Sequence, residues 1–466
     1  MNAVAIQRSA LLALLALALG GCPLPPPPAS DALRSEALPN TQVPEQWVAG
    51  PGAAVGEVAD GWLLLFEDAA LAQLVAEAMA YNTDLQVAAA RVEAAAASAR
   101  AAGGMLLPQV GISGRGGGKM SGDNSGLQGL GLFANWELDL WGRVRAQRHA
   151  AEAQYESAAL DAHYARESIA ALVAKSWFLA REAAIQRDIA SEMVESSQAL
   201  AEFSRERLRI GKGDELEVAE AETSVLTYSD VMVQAEMARQ NALRSIEILA
   251  GRYPGATVDV GRDLPPVPGA IPAGLPSQLL ERRPDVRAAE RRVAAAFYRT
   301  KEAQAARLPR IALTAGVSSV SSDLIVLKAR DNPMWSVGAT LTAPIFTGGA
   351  LQAQVEARTA EQKAAVAEYG RVGARAFSEV EGALSTAFQL ERRADILVRA
   401  VQANERAVNF ARVRYDVGSG DLRAVRQQML SLHAARTSLV RAQAERLVQR
   451  VNLHLALGGG FEPASQ

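Results

Sequence analysis

Apolar positions set the first outline of this chain. Residues 144–208 contain neither proline nor glycine, and apolar side chains return at three- and four-residue steps: Ala158, Ala162, Ala165, Ile169, Leu172 and Leu179. That is the seam of a coiled coil. At 1.5 Å per residue such a helix extends about 100 Å. Its contact positions are often alanine, so neighbouring helices can approach closely. An equivalent run, Leu351 to Val417, has only scattered glycines. Each run is followed by a glycine turn and a return helix, Leu216 to Leu249 and Leu422 to Leu457. Elsewhere the period drops to two. Trp335, Val337, Ala339, Leu341, Ala343 and Ile345 share one face, opposite Ser336, Gly338, Thr340 and Thr342. Leu130, Leu132, Ala134, Trp136, Leu138 and Leu140 alternate with a face that includes Asn135, Glu137 and Asp139. Ile311, Leu313, Ala315 and Val317 repeat the pattern, and Val110 with Ile112 begins a fourth strand.

These elements occur twice. Asp84 to Pro108 aligns without gaps on Asp285 to Pro309, and a second block pairs Phe203 with Phe410, Arg207 with Arg414, Gly211 with Gly418, and Asp214 with Asp421. The repeated Arg, Gly, Pro and Asp positions imply duplication of one unit. Each unit opens with a helix, roughly Leu71 to Met105 and Pro276 to Arg307, that ends before a proline. The expected boundaries are 1–21 for a signal peptide and 22–60 for a lipid-anchored linker. The two repeats then occupy 61–260 and 261–466.

Strands of about ten residues with one apolar face suit a tilted bilayer crossing. Four strands leave two open edges, which cannot sit in lipid. The barrel is therefore expected to close between chains, and three copies supply about twelve strands, an even number. A helix of this length exceeds any bilayer, so it is expected to cross aqueous space.

Composition narrows the class. The net charge of −3 argues against a nucleic-acid partner. His149, His163, His433 and His454 show no metal-ligand spacing. Gly114 to Lys119 resembles a phosphate loop only superficially, because Met120 stands where Ser or Thr is required; an outer surface loop is the better reading. No catalytic residue, cofactor or metal site is expected. Arg8 and the apolar run Ala10 to Leu19 form a signal-peptide core too short to span a bilayer. It ends in Leu19-Gly20-Gly21-Cys22, which resembles a bacterial lipobox, and Cys22 is the one cysteine. That resemblance implies cleavage before Cys22 and acylation of it, and Pro23 resembles an outer-membrane sorting signal. Pro23 to Pro28 reads as a stiff, extended spacer.

Gly274-Leu275-Pro276-Ser277, Leu279-Leu280-Glu281-Arg282-Arg283-Pro284-Asp285 and Ala288-Ala289-Glu290 resemble the signature of TolC/OprM-type outer-membrane factors, in their NodT lipoprotein branch. Trp136 to Gly142 and Arg414 to Gly418 resemble it too, and the match runs from about Trp62 to Gly458. The resemblance implies a mainly α fold with membrane β. Long coiled-coil hairpins would form an α-barrel, and four strands per chain would contribute to a trimeric twelve-strand β-barrel. It further implies an exit duct in the outer membrane, docked on a periplasmic adaptor protein and an inner-membrane pump of the resistance-nodulation-division type. A duct for secreted polypeptides and a lipid-anchored periplasmic coiled-coil scaffold are the alternatives.

The glycine tips, Gly211, Gly213 and Asp214, then Gly418, Gly420 and Asp421, lie farthest from the strands in this reading and should face the adaptor. In ducts of this family a tyrosine and acidic residues near the tips narrow the tube. Tyr415 matches the tyrosine, Glu217 matches an acidic position, and Asp421 is the acid at the second tip. Tyr415 and Glu217 are expected to hydrogen-bond across neighbouring helices. The second tip departs from the family: Ala424-Val425-Arg426-Gln427 stands where Asp-Val-Leu-Asp is common, with Arg423 beside it. That puts a strongly cation-selective gate in doubt. Pro284 and Asp285 read as a helix start, with the acid at the favourable end of the dipole.

Overall fold

The computed structural model describes residues 23–49, 56, 58–115, 128–269, 271–321 and 333–463. The signal peptide, Cys22 and most of the Gly114 to Lys119 loop lie outside the described residues. The elements run α1 (Ser30–Ala37), α2 (Ala69–Tyr81), α3 (Thr83–Gly104), β1 (Gln109–Arg115), β2 (Gln128–Leu138), α4 (Arg143–Arg209), α5 (Glu215–Leu249), α6 (Leu279–Arg282), α7 (Pro284–Ala305), β3 (Arg310–Ser321), β4 (Met334–Thr342), α8 (Ala350–Asp416) and α9 (Leu422–Ala456).

The duplication is visible in the element bounds. α7 repeats α3 after 201 residues, and α8 and α9 repeat α4 and α5 after 207. α4 and α8 are each 67 residues long, unbroken, and α5 and α9 are each 35.

The opening helix of each repeat differs from the single helix expected: it is broken at the same place in both. Asn82, between α2 and α3, has extended backbone. Its Oδ1 accepts the Asp84 and Leu85 amides at 3.0 and 3.1 Å, which caps α3. Its Nδ2 donates to Leu249 O at 2.9 Å, at the end of α5. In the second repeat Arg283 takes this position, held extended by the proline that follows it. The strands also end sooner than expected, β2 at Leu138 and β4 at Thr342. β2 stops because Asp139 turns to cap α4, its carboxylate accepting the Val144 and Arg145 amides, each at 2.9 Å.

The strands form one antiparallel sheet in the order β1-β2-β3-β4, leaving β1 and β4 as open edges. Pairing puts Ile112 beside Leu132, Leu132 beside Val317, and Val317 beside Trp335. The expected apolar face is therefore continuous across all four strands, and exposed: Ile112 is 72% accessible and Val337 91%. Among the described residues no helix is long and apolar enough to cross a membrane.

Contacts divide the chain into two compact units, each drawn from both repeats. One comprises residues up to 41, 90–161 and 285–372; the other comprises 42–89, 162–284 and 373–466. The first holds the sheet, α1 and most of α3 and α7. Here the chain after the proline spacer is packed down: Leu33 of α1 is buried, and Ser30 Oγ donates to Glu290 Oε1 at 3.0 Å. The second unit is built on a core of Trp62, Phe66, Leu71, Trp177, Phe178, Leu243, Leu447 and Phe461. A separate cluster gathers Met193, Leu200, Tyr228, Tyr415, Leu422, Val425 and Met429.

Candidate functional site

Both tips are built by the same local rules. α4 ends at Arg209 and the chain turns at Gly211, and α8 ends at Asp416 before the turn at Gly418. These glycines adopt φ of 71° and 77°, the left-handed region that closes a helix C-terminus. The turns are sealed by Lys212 N to Arg207 O at 2.8 Å and Ser419 N to Arg414 O at 2.9 Å. Gly213 and Gly420 then pass close against the ends of the incoming helices. Asp214 caps α5 by accepting the Glu217 amide at 2.8 Å, and Asp421 caps α9 by accepting the Arg423 amide at 3.0 Å. The Asp421 carboxylate is thus used locally, at its own helix start.

Behind the tips Tyr415 is fully buried. Its hydroxyl lies 3.5 Å from Ser204 Oγ. Phe203 meets its ring edge-on at 5.6 Å, and the Arg207 guanidinium sits 4.9 Å from the ring centroid. Burial pushes the phenol above its ordinary pKa, so it stays a neutral hydrogen-bond donor. Glu217 does not reach the tyrosine hydroxyl within the chain; its Oε2 lies 3.7 Å from Arg207 Nε. Arg207 is therefore the shared partner of the two expected aperture residues. Its Nε and Glu217 Oε2 are buried without a hydrogen-bond partner among the described residues.

The bases at the second tip are not free charges. Glu220 on α5 faces both, with Arg426 Nη1 at 2.9 Å and Arg423 Nε at 3.3 Å. Arg426 Nε also donates to Ser224 Oγ at 2.9 Å. This pairing ties the return helices of the two repeats together. Local sequence carried no sign of it, because Glu220 and Arg426 are two hundred residues apart.

A family model described as outer membrane efflux protein matches residues 74–252 and 275–459. The chain belongs to the outer membrane efflux protein family. It is 31% identical over 463 residues to the cation efflux system protein CusC of Escherichia coli O6:H1, covering 96% of this chain and 98% of the relative. To the toluene efflux pump outer membrane protein TtgC of Pseudomonas putida it is 29% identical, with 97% and 95% covered. The solved outer-membrane channel OprN superposes with a TM-score of 0.83 at 29% identity, covering 91% of this chain and 98% of that one. This family member is an outer-membrane efflux channel of a tripartite pump. Its four strands are one third of a twelve-strand barrel closed by three chains, joined to a helical barrel.

Two signature motifs of the efflux protein now have physical roles. In Trp136 to Gly142 the strand becomes a helix. Trp136 Nε1 donates to Leu106 O at 2.9 Å and Trp141 Nε1 to Pro309 O at 2.7 Å. Glu137 holds Arg143 through two bonds, at 2.9 and 2.8 Å. In Leu279 to Asp285, Arg282 donates to Val58 O and Gly458 O at 2.5 and 3.2 Å. Arg283, 1% exposed, donates to Ala456 O at 3.1 Å and pairs with Glu379 Oε2 at 2.7 Å. The two arginines satisfy carbonyls at the end of α9, which have no helical partner of their own. Pro284 and Asp285 open α7, as the sequence implied.

Proposed function

We propose that this channel is the passive exit duct for small toxic compounds, anchored by acyl chains on Cys22 and docked through its tips on a periplasmic adaptor. An inner-membrane pump of the resistance-nodulation-division type supplies the energy, and the duct performs no chemistry of its own. The single observation that carries the docking role is the paired tips. Two exposed turns of identical build, at Gly211 and Gly418, cap the longest helices in the chain. Behind them Arg207, Glu217 and Tyr415 gather in one cluster and Glu220 clasps Arg423 and Arg426. We read this pair of contacts as the latch that holds the periplasmic aperture shut, with Arg207 mediating between tyrosine and acid. The names of the relatives, a cation efflux protein and a toluene efflux protein, support efflux over polypeptide secretion.

The test is a photoreactive side chain placed at Lys212 or Ser419 in cells that carry out efflux. An adduct of the mass of an adaptor protein is expected from both positions. Active efflux with no adduct from either position would overturn the docking assignment.

A further inference from the structure

The sheet has two faces, and one residue is out of keeping with its own. Alternation and register place Gln109, Gly111 and Ser113 of β1 with Gly131, Phe133, Asn135 and Glu137 of β2. Ala312, Thr314, Gly316 and Ser318 of β3 and Met334, Ser336, Gly338 and Thr340 of β4 share that face. It is opposite the apolar face carrying Ile112, Leu132, Val317 and Trp335, so in the closed barrel it lines the water-filled lumen. Phe133 is the one aromatic among the described side chains of this face. The other described side chains of this face are small or polar apart from the aliphatic Met334, and an aromatic ring left in water forgoes the stabilisation that burial would bring.

The neighbours of Phe133 keep the ring uncovered. Its cross-strand partners are glycine on both sides, Gly111 of β1 and Gly316 of β3. A Cβ on Gly111 would come within 3.3 Å of Phe133 Cε2, so the ring occupies the space a side chain at position 111 would fill. One side of the ring therefore rests on the β1 backbone. No side chain stands beside it in its own row until Ser336, two strands away. Within the chain Phe133 keeps 44% of its residue surface accessible. It is a flat, fixed aromatic surface in a polar conduit, and threefold closure repeats it three times around the lumen.

We propose that Phe133 is a contact residue for planar aromatic solutes passing through the barrel. It would offer its open face for offset stacking, which the hydroxyl and amide groups of the surrounding wall cannot provide. Stacking of this strength, worth roughly two- to tenfold in residence, is enough to favour flat solutes without trapping them. Phe133 would bias which compounds dwell in the duct; it does not act on the tip contacts.

Saturation-transfer NMR on the detergent-solubilised trimer tests this, because it reads contact between solute and wall and does not require passage through the tips. The probes are benzylammonium and cyclohexylmethylammonium, matched in charge and nearly in size, so that only the aromatic ring differs. The wild type should transfer saturation preferentially to benzylammonium. Phe133→Leu, which keeps an apolar cover over Gly111, should lower that preference about two- to tenfold, and Phe133→Trp should preserve or raise it. Equal preference in the wild type and Phe133→Leu would overturn the proposal. So would a loss of preference in Phe133→Trp while the trimer remains intact. If Phe133 only braces β1, the variants would shift the melting temperature of the trimer and leave probe preference unchanged, which also refutes it.

Discussion

Arg283 is a charged side chain with 1% exposure, and it tolerates that burial because its guanidinium is fully engaged. It meets Glu379 and the Ala456 carbonyl, and lies 6.0 Å from the Tyr164 ring. Glu379 is itself about a third exposed and also pairs with Arg375 at 2.7 Å, so losing Arg283 does not leave its charge uncompensated. Arg283→Ala should therefore chiefly cost the buried Ala456 carbonyl its donor, destabilising the fold by about 1–3 kcal/mol, read as a loss of detergent-stable trimer on thermal melting. Glu167 and His454 make a second residue-scale prediction, in pH. Burial pushes Glu167 from 4.5 up to about 7, although its Oε2 accepts the Phe461 amide at 3.0 Å. Burial pushes His454, which stacks on Trp62, from 6.5 down to about 4. A raised carboxyl pKa means that the folded state binds the proton more tightly than the unfolded one. Stability from Glu167 is therefore lost as pH rises from about 4.5 to about 7. The depressed histidine acts in the opposite sense: its contribution is present above 6.5 and is lost as pH falls towards 4. Melting temperature against pH should show the two opposing. Glu167→Gln should leave only the acid-side loss, and His454→Phe only the alkaline-side loss. A Glu167→Gln profile parallel to wild type from pH 4.5 to 7 would show that Glu167 does not titrate in this range.

At the scale of elements, the tips show how far helix ends govern the site. Asp421 caps α9 and the left-handed Gly418 ends α8. Asp421→Ala should cost about 0.5–2 kcal/mol of local stability, visible as faster amide exchange in the first turn of α9. The pairing of Glu220 with Arg423 and Arg426 joins α5 to α9 between the repeats. With Arg426 about a quarter exposed, screening limits each link, yet three chains repeat it. Glu220→Gln should raise single-channel open probability in planar bilayers, and Arg207→Met should do so more, since it releases both Glu217 and Tyr415. Tyr415→Phe removes only the long contact to Ser204 and should have the smaller effect. Unchanged conductance and open probability in all three would remove the latch from these residues while leaving the channel itself intact.

At the scale of the whole molecule, closure is set by edges. β1 and β4 each leave one side unpaired within the chain, and their partners are strands of other copies. Native mass spectrometry in detergent should report three chains. Cys22→Ser should abolish acylation and still trimerise, because the strands carry their own membrane affinity. Failure of this variant to trimerise would mean that the lipid is needed for assembly.

The sequence by itself determined what depends on local rules and on repetition. Periods of 3.6 and 2 marked α4, α8 and the strands, because helix and strand faces impose them on any buried or lipid-facing side. Proline and glycine marked their ends within a few residues. The duplication was legible because Arg, Gly, Pro and Asp recur at two nearly equal shifts. Tyr415 and Glu217 stood out through family resemblance, and local pattern alone would not have found them. Only the tertiary structure decided what those residues touch. Arg207 was unremarkable on a long charged helix until folding brought α8 against α4 and set its guanidinium between Tyr415 and Glu217. Arg423 and Arg426 looked like unpaired bases at a gate until α5 delivered Glu220 to them. The break at Asn82 has a local part, the cap its Oδ1 gives α3, but the contact that anchors it is Leu249 O, far along the chain. Phe133 fell on a polar face, and what keeps it open is a pair of glycines on neighbouring strands. In each case the deciding partner is distant in sequence. Helix and strand periodicity specify which side of an element faces inward, while the identity of the side chain that meets it depends on register between elements.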